Sequence, residues 1–208
     1  MERGRFIALE GGEGTGKSTQ VKALAAELSR RGIDVVTTRE PGGTVGAEAI
    51  RDLLLEGAAD RWTPESEALL FAAARADHVA KLIRPAIEQG QWVLSDRYID
   101  SSRAYQSASG LLDDDLMTLH RIGSGGLLPD RVLLLELPGG EAERRAHRRD
   151  GGAGDRIGGR DEQFHADVAG AFRRYAAAEP DRFRRIEASG TPEDVTRALV
   201  SALGDYIS

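Results

Sequence analysis

The sequence contains no cysteine. That excludes disulfides, thiolate nucleophiles and sulfur-ligated metals, and makes the reducing cytoplasm the expected location. Histidine is scarce: the four present, His78, His120, His147 and His165, show no metal-ligand spacing. No apolar run approaches the roughly 18 residues that would cross a bilayer, so no membrane role is expected. The opening "MERGRFIALE" enters an apolar stretch too soon to leave room for a signal peptide. There is no excess of positive charge either. The net charge of −6 argues against a nucleic-acid-binding surface as the main function, although a local basic pocket for an anion remains compatible with it. An N-K-x-D stretch, which GTP-specific switches use to read guanine, is also missing.

What is present is enough for one globular domain. The 208 residues are 40% hydrophobic and 30% charged, so the chain can bury a core, and no repeat or long linker divides it. Five runs read as strands: "RFIALE", "DVVTTRE", "QWVLSDR", "RVLLLEL" and "FRRIEA". Their apolar residues cluster without polar alternation, which favours strands covered on both faces, as in a parallel sheet. Between them, helical spacing predicts helices over 18–31, 45–55, 64–89, 113–122, 140–149, 163–178 and 192–206. Strand alternating with helix predicts an α/β three-layer fold with right-handed crossovers. One segment stands apart. "RRDGGAGDRIGGRDEQ", residues 148–163, has five glycines and little that is apolar, and is expected to be a mobile flap.

Ligands of such a sheet bind beyond the carboxyl ends of its strands. After the first strand comes "EGGEGTGKST", in which Gly11, Gly16, Lys17 and Ser18 fit G-x-x-x-x-G-K-[ST] between a strand and a helix. Glycines let backbone N–H groups turn toward phosphate oxygens, and the helix N-terminus adds its positive end. Lys17 can reach the outer phosphates, and the Ser18 hydroxyl can ligate Mg²⁺. After the second strand, "TREPGGT" offers Arg39, whose planar fork suits a second phosphate group, with Arg51 on the next helix able to point at the same group. The bland reading of that stretch is a tight turn flanked by an exposed Arg39–Glu40 ion pair. The third strand ends in "SDRY": Asp96 stands where a carboxylate organises Mg²⁺, and Arg97 beside it can neutralise phosphate charge. In "LLFAAARADH", Phe71 and Arg75 lie one helical turn apart. They read either as a base-stacking ring with a base-edge donor, or as a core phenylalanine with a solvated arginine.

Together, "EGGEGTGKST", "TREPGGT", "FAAAR", "DRYIDSSRAYQ" and "DRI" resemble the thymidylate kinase family, from about Phe6 to the C-terminal helix. The resemblance implies a P-loop nucleoside-monophosphate-kinase fold: a five-stranded parallel sheet flanked by helices, forming one domain, residues 1–208, with a small lid at about 144–160. It implies transfer of the ATP γ-phosphoryl group to dTMP, with Mg²⁺ as metal and a homodimer as the usual assembly. It assigns the ATP phosphates to Gly11, Gly12, Gly14, Thr15, Gly16, Lys17, Ser18 and Thr19, and the metal to Ser18 and Asp96. Glu13 matches the loop carboxylate near the acceptor's sugar 3′-hydroxyl. Arg39, Arg51 and Arg97 match ligands of the acceptor phosphate. Phe71 matches the residue stacking on thymine, Arg75 the one bonding its carbonyl edge, and Ser102 and Gln106 contacts around the base. Tyr105 matches the ring that disfavours a ribose 2′-hydroxyl. Because the loop carries no arginine between Gly11 and Ser18, the second catalytic cation is expected from the lid, with Arg145, Arg149 and Arg156 as candidates and Arg149 and Arg156 the ones the resemblance favours; the bland reading is a solvated basic helix balanced by Glu141 and Glu143. Four positions depart from the family pattern: Ser107, Glu136, Gly158 and Gly159.

Overall fold

Five short apolar runs pair as one parallel sheet in the computed structural model, which describes residues 3–138, 141 and 156–207. The strands are β1 (Phe6–Glu10), β2 (Val35–Arg39), β3 (Trp92–Asp96), β4 (Arg131–Glu136) and β5 (Phe183–Glu187), in spatial order β2-β3-β1-β4-β5. Side chains alternate across each strand, and this sorts the core into two layers. Phe6, Ala8, Val93, Val132 and Leu134 face one side, while Ile7, Leu9, Leu94, Leu133 and Leu135 face the other. The second layer is closed by Val21, Leu24 and Leu28 of α1 (Lys17–Arg30) and by Val195 and Leu199 of α8 (Pro192–Ala202). The first is closed by α3 (Pro64–His78), α4 (Arg84–Glu88), α5 (Ile99–Ala108) and α7 (Glu162–Ala178), with α2 (Val45–Leu55) and α6 (Asp113–Ser124) packing against α3. This is the expected three-layer α/β fold.

The expectation of strands covered on both faces holds for β1, β3 and β4 but not for β2 and β5. Those two are the sheet edges, and their apolar runs are interrupted by exposed and half-exposed Thr, Arg and Glu. The predicted helix over 64–89 is a continuous run in which α3 passes into α4 through a π turn at Val79–Ile83. Pro85 lies just beyond. It lacks an N–H and its ring crowds the carbonyl four residues back, and the widened turn accommodates both effects. Helix starts follow local chemistry. Thr44, Thr63 and Asp161 each accept a first-turn N–H, and Thr191 with Asp194 forms a reciprocal capping box. The predicted helix over 140–149, and with it Arg149, lies outside the described residues. No described helix is long and apolar enough to cross a membrane.

The strand order decides where the site lies. β3 sits between β1 and β2, with Leu9 opposite Asp96 and Arg39 opposite Asp96 in register. The carboxyl ends of β1, β3 and β2 are therefore side by side. The loop after β1, the Asp96–Arg97 pair and Arg39 must open onto one space.

Candidate active site

The loop between β1 and α1 wraps back on itself. Gly11 has φ 138° and an added Cβ would stand 2.4 Å from the Leu135 carbonyl oxygen, so only glycine fits between the loop and β4. Thr15 Oγ1 donates to the Gly12 carbonyl at 2.9 Å. The Lys17 ammonium is buried and donates to the carbonyls of Gly11 at 3.1 Å and Gly12 at 2.7 Å. Burial, followed by the nearby Arg97 charge, lowers its pKa to about 7, against the pull of Asp96, Glu10 and Glu13. An anion in front of the loop would add to that pull and favour the charged ammonium. Ser18, at the first turn of α1, donates to Asp96 Oδ2 at 2.5 Å.

Arg97 ends β3 in a left-handed conformation, φ 72°, the only described non-glycine residue with positive φ. Its N–H bonds the Leu9 carbonyl at 2.9 Å, turning the chain across β1. Its guanidinium donates to Gly11 O at 3.1 Å, Ser101 Oγ at 3.0 Å and Tyr105 Oη at 3.2 Å, and lies 5.1 Å from the Tyr105 ring centre. The chain then enters α5, whose first turn is held by Glu10. Glu10 Oε1 accepts the N–H groups of Tyr98 at 2.8 Å and Ser101 at 3.1 Å, and Oε2 accepts the Ser101 hydroxyl at 2.6 Å. Glu10 thus fixes the ligands of Arg97 from below.

On the β2 side, the exposed Arg39–Glu40 ion pair of the bland reading does not form. Arg39 pairs with Glu48 at 3.0 Å on the surface, while Glu40 is buried. Glu40 accepts Arg75 Nε at 2.8 Å and faces His78 Nδ1 at 3.0 Å, and His78 Nε2 lies 2.7 Å from Thr38 Oγ1. Adjacent residues on a strand point to opposite sides, which separates Arg39 from Glu40. Arg75 is accordingly not a solvated arginine: it is 4% exposed and also donates to Ser102 Oγ at 2.7 Å. Arg51 donates to the Pro41 carbonyl at 2.7 Å.

These groups enclose one cavity of about 450 Å³. It is lined by Gly14, Gly16, Lys17, Ser18, Thr19 and Asp96, by Glu13, Arg39, Arg51, Arg97 and Tyr105, and by Phe71, Arg75, Ser102 and Gln106. Gly11, Gly12 and Thr15 lie behind the lining as the loop's own scaffold. One predicted catalytic residue is not brought here. Arg156 is buried away from the cavity, where it pairs with Glu67 and donates to the carbonyls of Leu54 at 2.8 Å and Ala59 at 3.4 Å. A buried carboxylate and two carbonyls capture the charge that the sequence assigned to the transferring phosphate. Its neighbour Ile157 reaches the cavity instead, together with Glu40, Pro41, Leu55, Tyr98 and Ser101, none of which was expected there. Of these only Glu40 and Ser101 carried a sequence signal, as polar residues inside the two motifs.

Two departures from the family pattern gain a place. Glu136, at the end of β4, pairs with Arg173 at 3.1 Å and Arg185 at 2.5 Å on the surface and takes no part in the cavity. At Gly158 an added Cβ would stand 2.6 Å from the Glu13 carboxylate, so the bare backbone lets the end of the lid segment lie against the phosphate loop. Among the described residues no group of three or more His, Cys, Asp or Glu could cage a metal. The Ser18 hydroxyl and Asp96 carboxylate nonetheless fit Mg²⁺, a hard ion usually bound by one or two protein oxygens with water and substrate phosphates supplying the rest.

Comparison with known proteins agrees with this geometry. The family model described as thymidylate kinase matches residues 9–199. The chain is 62% identical to a thymidylate kinase of Rhizorhabdus wittichii over 98% of this chain and 99% of that one. It is 46% identical to a thymidylate kinase of Caulobacter vibrioides, covering 96% of this chain and 95% of that one. Among solved structures, a thymidylate kinase from Ehrlichia chaffeensis superimposes with a TM-score of 0.80 at 30% identity, covering 97% of this chain and 99% of that one.

Proposed function

We propose, for a chain that belongs to the thymidylate kinase family and so phosphorylates dTMP with ATP, that the two ends of the cavity hold the two substrates head to head. The observation that carries this reading is the meeting of Lys17 and Ser18 with Arg39, Arg51 and Arg97 in one cavity that Phe71, Arg75 and Gln106 also line. A phosphate oxygen is already a nucleophile at neutral pH, so no general base is required. What the protein supplies is positioning of two polyanions and absorption of charge.

In this reading the loop amides from Gly14 to Thr19 and Lys17 hold the ATP phosphates. Lys17 turns from the Gly11 and Gly12 carbonyls toward phosphate oxygens, whose charge restores its proton. Arg39, Arg51 and Arg97 hold the acceptor phosphate, and the left-handed turn at Arg97 aims its guanidinium between the two substrates. Ser18 and Asp96 hold Mg²⁺, which when bound offsets charge on the donor phosphates. Phe71 stacks on thymine, Arg75 meets its carbonyl edge, Tyr105 crowds the 2′ position and Glu13 meets the 3′-hydroxyl. The lid, at about 144–160, excludes water, and Arg149 supplies the second cation, since the phosphate loop has Lys17 but no arginine. We further propose a homodimer acting in the cytoplasm. The dimer is supported by Leu53, Leu69 and Ile122, exposed apolar side chains on α3 and on α2 and α6, which each pack against it, and light scattering on the purified protein would test it.

A coupled ADP-release assay across the nucleoside monophosphates tests the whole reading. Stoichiometric dTDP with dTMP as best acceptor supports it; equal efficiency with AMP or CMP rejects the assignment of the base end.

A further inference from the structure

Behind the base end of the cavity lies a buried polar cluster that phosphoryl transfer leaves unused. Glu67, on α3, is 1% exposed. Its carboxylate receives Arg156 Nη2, Arg160 Nη2 at 2.9 and 3.1 Å, and the side-chain amide Nε2 of Gln106 at 3.0 Å. Every one of these bonds is accepted, none donated. Two guanidinium groups hold the carboxylate from the end of the lid segment, and Arg156 anchors that segment to the end of α2 through the Leu54 and Leu55 carbonyls.

Gln106 is fully buried on α5 and lines the cavity. A side-chain amide can rotate its oxygen and nitrogen through each other's places, and hydrogen-bond partners decide which is where. Here the partner accepts only. Turning the amide over would set its oxygen against a carboxylate oxygen, so the NH₂ group must face Glu67. The other end, Oε1, is buried and has no hydrogen-bond partner among the described residues. Buried acceptors are rarely left unpaired, and a ligand N–H would complete this one.

We propose that Glu67 is a positioning residue that fixes the Gln106 amide with its oxygen toward the cavity, so that the site selects a pyrimidine carrying an N–H at ring position 3. Thymine and uracil carry that hydrogen; cytosine presents a bare nitrogen acceptor there, which would face the Gln106 oxygen. Arg75, held by Glu40, adds a donor suited to the carbonyl at position 4, which cytosine also lacks. The inference rests on reading this cavity as the dTMP site. It assigns the choice between the two amide orientations to a side chain that does not line the cavity.

The test measures kcat and KM for dTMP, dUMP and dCMP in wild type, Glu67→Gln and Glu67→Asp. Glutamine both donates and accepts, so it lets Gln106 adopt either orientation. The ratio of kcat/KM for dTMP over dCMP should fall at least ~10-fold, because a site built around one hydrogen bond rejects the mismatched base through that bond. The dTMP loss should appear in KM with kcat nearly kept. A merely structural role would lower both acceptors together and leave the ratio in place. Glu67→Gln deprives two arginines of their counter-charge and can fail to fold. Glu67→Asp keeps the charge but withdraws the oxygen from Gln106, and should lower the ratio in a folded protein. In a Gln106→Ala background, Glu67→Asp should change the ratio no further. An unchanged ratio in folded Glu67→Asp, or an equal change with and without Gln106, overturns the proposal. A wild type that leaves dTMP unphosphorylated would instead overturn the acceptor assignment, and this inference with it.

Discussion

Glu10→Gln should alter the pH dependence of stability in a calculable way. Glu10 is fully buried at the end of β1. Burial, then the neighbouring Asp100 charge, raises its pKa from 4.5 to about 7, and the bonds from Ser101 and Tyr98 and the charge of Arg97 offset only part of this. Folded protein therefore keeps the Glu10 proton up to about pH 7, while unfolded chain loses it near 4.5. Between those values the folded state binds more protons, so this group's contribution to stability falls as pH rises. Integrating the two titrations from pH 5 to pH 8 gives a loss of roughly 2.5 kcal/mol.

Glutamine copies the protonated form. Its oxygen can keep the N–H groups of Tyr98 and Ser101, and its NH₂ can face the Ser101 hydroxyl, but it does not titrate. Urea unfolding of wild type and Glu10→Gln at pH 5 and pH 8 supplies four stabilities, and the difference of differences removes every other titrating group. The variant should gain on wild type by ~2–3 kcal/mol between the two pH values, or about 5–10 °C in Tm for a chain of this size. The same gap at both pH values would refute the reasoning, since Glu10 would then titrate alike folded and unfolded. A gap that widened in the wild type's favour would refute its sign.

Lys17→Met should lower turnover at least ~10²-fold, as loss of one preorganised electrostatic contact does; a folded variant with near-normal turnover in the ADP-release assay would remove the loop lysine from catalysis. dUMP should follow dTMP by only about 1–3 kcal/mol in kcat/KM, the worth of one methyl group in a pocket, with purine monophosphates far behind in the same assay. Arg149→Ala should cut kcat more than it raises the KM for dTMP, because its contact forms as charge transfers; equal effects on both constants would make it a ground-state contact. Arg156→Ala should instead act on the fold, lowering unfolding free energy by about 3 kcal/mol in urea titration, because a buried carboxylate loses a partner; unchanged stability would show that Arg160 alone satisfies Glu67.

The strands and most helices were legible because their signals are local. "FIALE" and "VLLLE" are short apolar runs that read as buried strands, and Thr63-Pro64 and Thr191-Pro192 mark helix starts by capping chemistry. α5 was not predicted as a helix, and its sequence shows why. "IDSSRAYQSA" has no apolar stripe, yet Ile99 through Gln106 are all buried. One side faces the cavity, and the other is held by ions: Arg103 bonds Asp100, Asp113 and Glu179, and Arg182 returns to Asp100. A helix buried by polar partners from distant parts of the chain leaves no periodicity in its own sequence.

The same distinction separates the legible part of the site from the hidden part. Lys17, Ser18, Asp96, Arg97 and Arg39 stand in motifs because each sits where a strand ends, and the parallel register brings those ends together. Arg156 also stands in a motif, but its partner Glu67 lies 89 positions away with nothing in between to pair them. Glu10 looks like the last residue of a strand until β1 is set beside α5 and its carboxylate becomes the cap of that helix. Each hidden carboxylate acts on a residue that the motifs do name: Glu40 on Arg75, Glu10 through Ser101 on Arg97, Glu67 on Gln106. The phosphate-facing groups Lys17, Ser18, Arg39, Asp96 and Arg97 stand at or just after strand ends and can be read in order along the chain. Groups that orient them can come from any element packed behind, so only the assembled fold reveals which acid serves which ligand-facing side chain.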